Sequence, residues 1–242
     1  MRLLVTRPQP DADAQAEKLI ALGHDVITAP LLEVEFLDPG PLPLAGAQAL
    51  LATSRNALRA LSEGGQLDAV LDLPLYVVGG ATADKARELG FGKIHQGPGT
   101  AQELLPLIAS ECAQDDGALI HLAGERMAFD LKSALEDEDF EVSQPILYRI
   151  NMADSFAEGA RNALAGGTLD GVIMMSPATA QTYLALVDAP EMQAIARKLT
   201  YFCMSHNVAE PLKALVDARI LISSRPREDD LLALIGHEAA NC

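Results

Sequence analysis

Residues 77–90, VVGGATADKARELG, combine a β-branched run, two glycines and a helical pattern. A strand that ends in glycine and leads directly into a helix exposes unpaired backbone N–H groups and the positive end of the helix dipole. Such groups bind anions, including phosphates and carboxylates. The stretch therefore predicts an anion-binding turn at Gly79, Gly80 and Thr82.

Serine stands at the corresponding place, between an apolar run and a helical pattern, at Ser54, Ser176 and Ser205. A serine in this position either caps the helix, by accepting a hydrogen bond from a backbone N–H group, or contacts a ligand, and the two roles can coexist. The Thr82 hydroxyl has the same two interpretations, because it can also bond locally within its helix. All four hydroxyls are candidate ligand groups.

The sequence lacks the patterns of nucleotide and metal sites. Neither GxxxxGKS/T nor GxGxxG surrounds the turn at residues 77–90, so a nucleotide phosphate is not the predicted anion. The wide spacing of Cys112, Cys203 and Cys242 fits neither a disulfide framework nor a zinc site, and we expect reduced, structural cysteines. The five histidines form neither HxxxH nor HxH, and no metal is predicted.

The charge balance limits the partners. The chain has 18 Lys and Arg against 34 Asp and Glu, a net charge of −16, which argues against broad binding to nucleic acid or to an anionic membrane. An anionic ligand must therefore be held by local groups. The N-terminal residues lack the apolar region of a signal peptide, and no stretch has the length of a membrane span, so the sequence predicts a cytoplasmic protein.

Short apolar runs alternate with amphipathic segments along the chain, a pattern that predicts an α/β fold with parallel sheets covered by helices. The predicted strands are residues 3–7, 49–54, 75–80, 118–124, 171–176, 201–205 and 219–223. Most of them stop at a small or hydroxyl residue, and ligands of open parallel sheets bind beyond these strand ends.

The two halves of the sequence repeat each other in order. LLVTRP resembles LIHLAG, and residues 23–36 resemble residues 139–152, each a segment that runs into a long extended strand. LLATSRNALRAL then resembles IMMSPATAQTYLAL, and residues 76–90 resemble residues 202–216. The repeat predicts two similar parallel-sheet lobes joined by two strands, with a cleft between them.

Six motifs in this order resemble the uroporphyrinogen-III synthase family: VTRP, TSRNAL, YVVGGATA, GPGTAQELL, PILYRI and MMSPATA. The resemblance implies a discontinuous first lobe of residues 1–36 plus 151–242 and a second lobe of residues 37–150. The chain departs from the family's threonine-rich turn, since it has Ser205, His206, Asn207, Val208 and Ala209 there. The backbone N–H groups of that turn, at Ser205 and Asn207, remain candidate ligand groups.

The resemblance implies a cofactor-free cyclase, expected to be a monomer, that acts on hydroxymethylbilane, a chain of four pyrroles with eight carboxylates. The substrate loses water, and the ring closes with ring D inverted to give uroporphyrinogen III, a task of orientation more than of acid–base chemistry. The pyrrole carboxylates are then the predicted anions, with Arg7 and Arg126, in near-equivalent loops of the two repeats, as their cations. Tyr148, on the PILYRI strand, is the expected hydrogen-bond donor to the departing hydroxyl.

Two other functions fit a two-lobed α/β chain. One is a cytosolic ligand-binding sensor without catalytic activity. The other is a glycosyl- or nucleotidyl-transferring enzyme, which needs a basic or glycine-rich diphosphate site that the sequence lacks.

Overall fold

The computed structural model describes residues 1–240 and shows a mixed α/β fold with parallel sheets, as the sequence predicts. The described strands are β1 (Arg2–Val5), β2 (Asp25–Thr28), β3 (Leu32–Phe36), β4 (Ala47–Ala52), β5 (Leu75–Val77), β6 (Ile94–Gln96), β7 (Ala118–Gly124), β8 (Val142–Ser143), β9 (Ile146–Met152), β10 (Gly171–Met174), β11 (Thr200–Cys203) and β12 (Arg219–Ile222). All seven predicted strands are present among them.

The described α-helices follow these strands in most of the chain. They are α1 (Asp11–Ala21), α2 (Arg55–Glu63), α3 (Gly80–Glu88), α4 (Ala101–Glu111), α5 (Leu131–Glu136), α6 (Glu158–Ala165), α7 (Pro177–Leu186), α8 (Pro190–Ala196), α9 (His206–Ala209) and α10 (Glu228–Ala239). Two short 3-10 turns occupy Gln114–Asp116 and Pro211–Ala214.

The chain forms two compact units, here called unit 1 and unit 2. Unit 1 contains residues 1–33 together with the described residues from Asn151 onward, and unit 2 contains Val34–Ile150. Unit 1 has a five-stranded sheet of order β12-β11-β10-β1-β2, in which every neighbouring pair is parallel. Unit 2 has a seven-stranded sheet of order β3-β9-β7-β4-β5-β6, with β8 also paired to β7.

Each of the two repeated segments contains two strands separated by a proline. Residues 23–36 form β2 and β3, and residues 139–152 form β8 and β9. Pro30 lies in the first gap and Pro145 in the second. Proline has no N–H group to donate to a strand ladder, which explains why each extended segment is divided at this point.

Each sheet has apolar residues on both faces, as parallel strands covered by helices require. In unit 1, Leu4 packs in one core cluster while its neighbours Leu3 and Val5 pack in another. In unit 2, the neighbours Leu50 and Leu51 likewise pack in two different core clusters. Burial of a whole leucine side chain contributes about 1.5–3 kcal/mol to the stability of the fold. The strand interiors are therefore held firmly, and they position the strand ends that follow them.

Cys112 and Cys203 are unpaired, as the sequence predicts. Cys203 is fully buried in the unit 1 core, and burial raises the pKa of its thiol to about 12, so this cysteine stays protonated and has a packing role. Cys242 lies outside the described residues.

Candidate functional site

A cavity of about 520 Å³ lies in unit 2, where several strands of its parallel sheet end. Thr53 and Ser54 follow β4 and Val78 follows β5, while Arg126 belongs to the segment after β7. The volume is within the range of about 300–1,000 Å³ that is usual for ligand pockets. The residues that line it are Thr53, Ser54, Val78, Gly99, Thr100, Ala101, Gln102, Arg126, Met127, Ala128, Phe129 and Tyr148.

Two helices begin at the wall of this cavity. Ser54 has extended backbone and caps α2, because its hydroxyl oxygen accepts a hydrogen bond from the Asn56 N–H group over 3.1 Å. Thr100 caps α4 through a reciprocal pair of bonds with Glu103. Capping satisfies only some of the free N–H groups at each helix start. The first turn of α2 carries no acidic residue, whereas that of α4 carries Glu103, so the positive end of α2 is the more available to an anion in the cavity.

The predicted glycine turn lies beside the cavity. Gly79 precedes α3 in extended conformation, and a Cβ atom there would lie 3.6 Å from the Cα atom of Gly99, a cavity residue. Gly80 is the first residue of α3, and a Cβ atom there would lie 3.9 Å from Nε2 of Gln96, an ordinary contact. The first turn of α3 carries no acidic residue, so its dipole is not compensated by the chain. Anion binding at Gly79 and Gly80 stays a prediction.

Thr82 is placed less favourably for direct contact. Its side chain is buried, and it is absent from the residues that line the cavity. Its N–H group donates to the Gly79 carbonyl over 3.1 Å. Both interpretations of the Thr82 hydroxyl, a local bond and a ligand contact, stay predictions.

Tyr148 lies on β9 and forms part of the cavity wall, although its side chain is only 7% exposed. Burial raises the pKa of the phenol above its ordinary value, and a hydrogen bond with the Ser54 side chain acts in the opposite direction. The phenol is therefore neutral near pH 7, in the state that can donate a hydrogen bond.

Arg126 supplies the positive charge of the cavity. Its side chain is exposed, and within residues 1–240 no carboxylate forms an ion pair with it. Met127 and Phe129, from the same segment, add apolar surface to the wall. Arginine beside apolar and hydroxyl groups suits a ligand that combines flat apolar rings with carboxylates.

Arg7, the predicted counterpart of Arg126 in unit 1, is already paired. Its guanidinium group donates to Asp11 over 3.0 Å and to Glu228 over 2.9 Å, and Lys18 also pairs with Glu228. Its side chain is only 12% exposed. Arg7 thus holds α1 and α10 together. Its contact with a ligand carboxylate stays a prediction.

The remaining predicted residues also belong to unit 1. Ser176 caps α7 by accepting a bond from the Thr179 N–H group over 3.1 Å. Ser205 precedes the four-residue helix α9 without a side-chain capping bond, and Asn207 is exposed within that helix. Ligand binding by Ser176, Ser205 and Asn207 stays a prediction.

Sequence reasoning missed several cavity residues, among them Thr53, Thr100, Gln102, Met127 and Phe129. Thr100 has a signal that could have found it, since T-A-Q-E at residues 100–103 is a capping-box pattern. Met127 and Phe129 lie in an irregular segment without periodicity, and no sequence pattern indicated them.

Two further searches covered residues 1–240. They contain no helix long and apolar enough to cross a membrane. They also contain no cluster of three or more His, Cys, Asp or Glu side chains arranged to hold a metal ion.

Comparison with known proteins identifies the family. The model of the HEM4 family, uroporphyrinogen-III synthase HemD, matches residues 13–233. The crystal structure of uroporphyrinogen-III synthetase from Helicobacter pylori aligns with a TM-score of 0.64 and 18% identity over 97% of each chain. A mutant uroporphyrinogen III synthase from Thermus thermophilus aligns with a TM-score of 0.59 and 20% identity, over 100% of this chain and 98% of that chain.

The structural likenesses show a shared fold, while the family model carries the assignment because it spans nearly the whole chain. No curated protein sequence gives a significant match. The chain belongs to the uroporphyrinogen-III synthase family.

Proposed function

We propose that this chain converts hydroxymethylbilane into uroporphyrinogen III, with loss of water and inversion of ring D, and that the unit 2 cavity holds part of the substrate. The observation that carries the reaction is the family match over residues 13–233. It also favours the cyclase over the non-catalytic sensor.

The unit 2 cavity suits a carboxylated pyrrole. Its helix starts and Arg126 match acetate and propionate groups, and Met127 and Phe129 match the faces of a pyrrole ring. A tetrapyrrole is much larger than a drug-sized ligand, so the cavity takes only part of it. The turns at Ser176, Ser205 and Asn207 of unit 1 are proposed to bind other carboxylates of the same substrate.

Tyr148 is proposed to assist the departure of the ring A hydroxyl. Its neutral phenol donates a hydrogen bond to that oxygen, which stabilises the negative charge that develops as the carbon–oxygen bond breaks. The Ser54 hydroxyl oxygen already accepts from Asn56, so its own proton is free to point at the Tyr148 oxygen. The Tyr148 proton is then left for the substrate.

Product identity tests the reaction directly. Freshly prepared hydroxymethylbilane is incubated with the purified protein, the porphyrinogens are oxidised, and the isomers are separated by chromatography. We expect the type III isomer, because uncatalysed closure does not invert ring D. Formation of type I alone, at the rate of the protein-free control, contradicts the proposal.

We also propose that the two halves of the chain form similar lobes related by an internal repeat. The strand order β2-β1-β10-β11-β12 in unit 1 and the order β8-β7-β4-β5-β6 in unit 2 support an internal repeat. The monomeric state and the cytoplasmic location are proposals as well. Light scattering on the purified protein tests the first, and fractionation of the cells that make it tests the second.

A further inference from the structure

Gly124, the last residue of β7, is the register neighbour of Tyr148, the third residue of β9. A Cβ atom added at Gly124 would lie 2.6 Å from Cζ, 2.8 Å from Cε2 and 2.9 Å from the hydroxyl oxygen of Tyr148. Real Cβ atoms essentially never approach other heavy atoms this closely. All three contacts involve the hydroxyl-bearing end of the ring, so this end rests directly on the Gly124 backbone.

Backbone conformation does not require glycine at this position. Gly124 is not among the glycines with positive φ, so alanine can adopt its backbone angles without strain. The closest obstacles to a side chain are the three Tyr148 atoms. The absence of a side chain at residue 124 is therefore tied to the position of this one ring.

The Tyr148 backbone is held independently of the ring. The Tyr148 carbonyl accepts a hydrogen bond from the Glu125 N–H group over 2.9 Å, and the carbonyl of its neighbour Leu147, which is buried in the core, accepts one from the Leu37 N–H group over 2.8 Å. A methyl group at residue 124 would consequently push the ring and its hydroxyl, since the strand itself is fixed. The hydroxyl would then move away from Ser54 and from its place in the cavity wall.

We propose that Gly124 is a positioning residue for the cyclisation: its missing side chain lets the Tyr148 hydroxyl sit against Ser54, at the depth in the cavity where it meets the departing hydroxyl. The inference rests on the proposed function, in which Tyr148 is the hydrogen-bond donor. It assigns Gly124 no contact with the substrate.

The first experiment measures the environment of the Tyr148 ring and does not need an activity assay. The chain has only four tyrosines, so labelling with [13Cζ]tyrosine gives four resonances, and the Tyr148→Phe variant identifies one of them. We expect Gly124→Ala to shift the Tyr148 resonance and to leave those of Tyr76, Tyr183 and Tyr201 in place. An unchanged Tyr148 resonance overturns the proposal, whether or not the chain makes uroporphyrinogen III.

The second experiment asks whether Gly124 acts through the Tyr148 hydroxyl. In the wild-type background, Gly124→Ala is expected to lower kcat about ten- to a hundredfold with KM changed less than about threefold. In the Tyr148→Phe background the same substitution is expected to lower kcat less than about threefold. Equal losses in both backgrounds overturn the proposal. Wild-type protein without cyclase activity overturns the proposed function instead, while the resonance experiment still tests the ring position.

Two further variants control for folding. Gly92→Ala is the matched glycine substitution in unit 2, because a Cβ atom there meets nothing within 4 Å, and it should change neither Tm nor kcat. If Gly124→Ala does not fold, Gly124→Ala combined with Tyr148→Leu relieves the contact and should restore a cooperative unfolding transition. If the double variant does not regain a cooperative unfolding transition, the steric argument is wrong.

Discussion

The strand-end edges of the two units differ in how their charges are compensated. In unit 1 Arg7 is paired with Asp11 and Glu228. In unit 2 Arg126 forms no ion pair with a carboxylate of residues 1–240. The helix starts do not separate the units, because each unit has both acidic first turns, as in α10 and α4, and first turns without an acidic residue, as in α7 and α2. The contrast between the two edges therefore lies in their arginines, of which one is neutralised and the other is not.

This difference matters because the chain as a whole has a net charge of −16. A substrate with eight carboxylates is repelled by that charge except where N–H groups and cations remain uncompensated. We therefore expect the unit 2 edge to supply more of the binding energy than the corresponding unit 1 edge. Positions equivalent in a sequence repeat thus need not have equivalent electrostatics.

The largest expected effect tests whether the chemistry belongs to unit 2. Tyr148→Phe keeps the ring and removes only the hydroxyl, and the loss of one transition-state hydrogen bond should lower kcat about ten- to a thousandfold, with product affinity little changed. The matched control is Tyr183→Phe in unit 1, which removes a buried hydroxyl bonded to Tyr201. It should lower stability and leave kcat near the wild-type value. Full activity of Tyr148→Phe would make that hydroxyl dispensable.

The second-largest expected effect is a difference in product affinity between variants of Arg126 and of Arg7. Arg126→Ala should weaken product binding about tenfold at low salt, and less at high salt, since it removes an exposed charge that we propose contacts a carboxylate of the tetrapyrrole. Arg7→Ala should weaken binding less than about threefold but lower the free energy of unfolding, because Asp11 and Glu228 lose their shared cation. Titration of product at two salt concentrations, with thermal unfolding, checks both. Equal loss of affinity in the two variants would remove the contrast between the edges.

The serine caps give a smaller contrast. Ser54→Ala and Ser176→Ala each remove one capping bond and should each cost about 1 kcal/mol of stability. Only Ser54→Ala also removes a hydrogen bond to the Tyr148 phenol, so it alone should shift the Tyr148 resonance described above. Denaturant unfolding and the tyrosine spectrum are the two measurements. A shift of that resonance in Ser176→Ala would show that the readout is not local.

The smallest expected effect is a pH dependence shared by the units, since each has one buried histidine. Burial lowers the pKa of His121 in unit 2 and of His24 in unit 1 below the ordinary value of 6.5. Between the lowered pKa and 6.5 the unfolded chain binds more protons, so stability should fall as the pH drops below about 6.5. Calorimetry from pH 7.5 to 5.5 should show a weaker decline in His121→Leu than in wild type. An identical decline would exclude His121 as a contributor.

Local patterns predicted the fold well, because each strand and its following turn are encoded by adjacent residues. The apolar run before Ser54 gave β4, and Ser54 itself gave the start of α2. These features depend on residues within about ten positions of each other, where periodicity and capping signals operate.

The sequence failed where distant residues decide the environment. Arg7 meets Glu228, which lies 221 positions away, so its neutralisation cannot be inferred from the residues around it. Met127 and Phe129 reach the cavity from an irregular segment, and the tight contact of Gly124 with Tyr148 arises only from strand register. Which strands pair, and in which register, depends on the whole fold, so it cannot be inferred from the residues of one segment alone.

The position of β1 in the middle of the unit 1 sheet has a consequence for synthesis on the ribosome. β1 lies between β2 and β10, and Leu3 is in register with Gly171, a residue 168 positions later. At about 5–20 residues per second, β1 waits roughly ten to thirty seconds for that partner strand. Unit 2, whose residues are continuous, can complete its sheet first. Until β10 emerges, β1 has only β2 as a neighbour in the sheet, and the edge of its apolar residues Leu3, Leu4 and Val5 that β10 later covers stays unpaired.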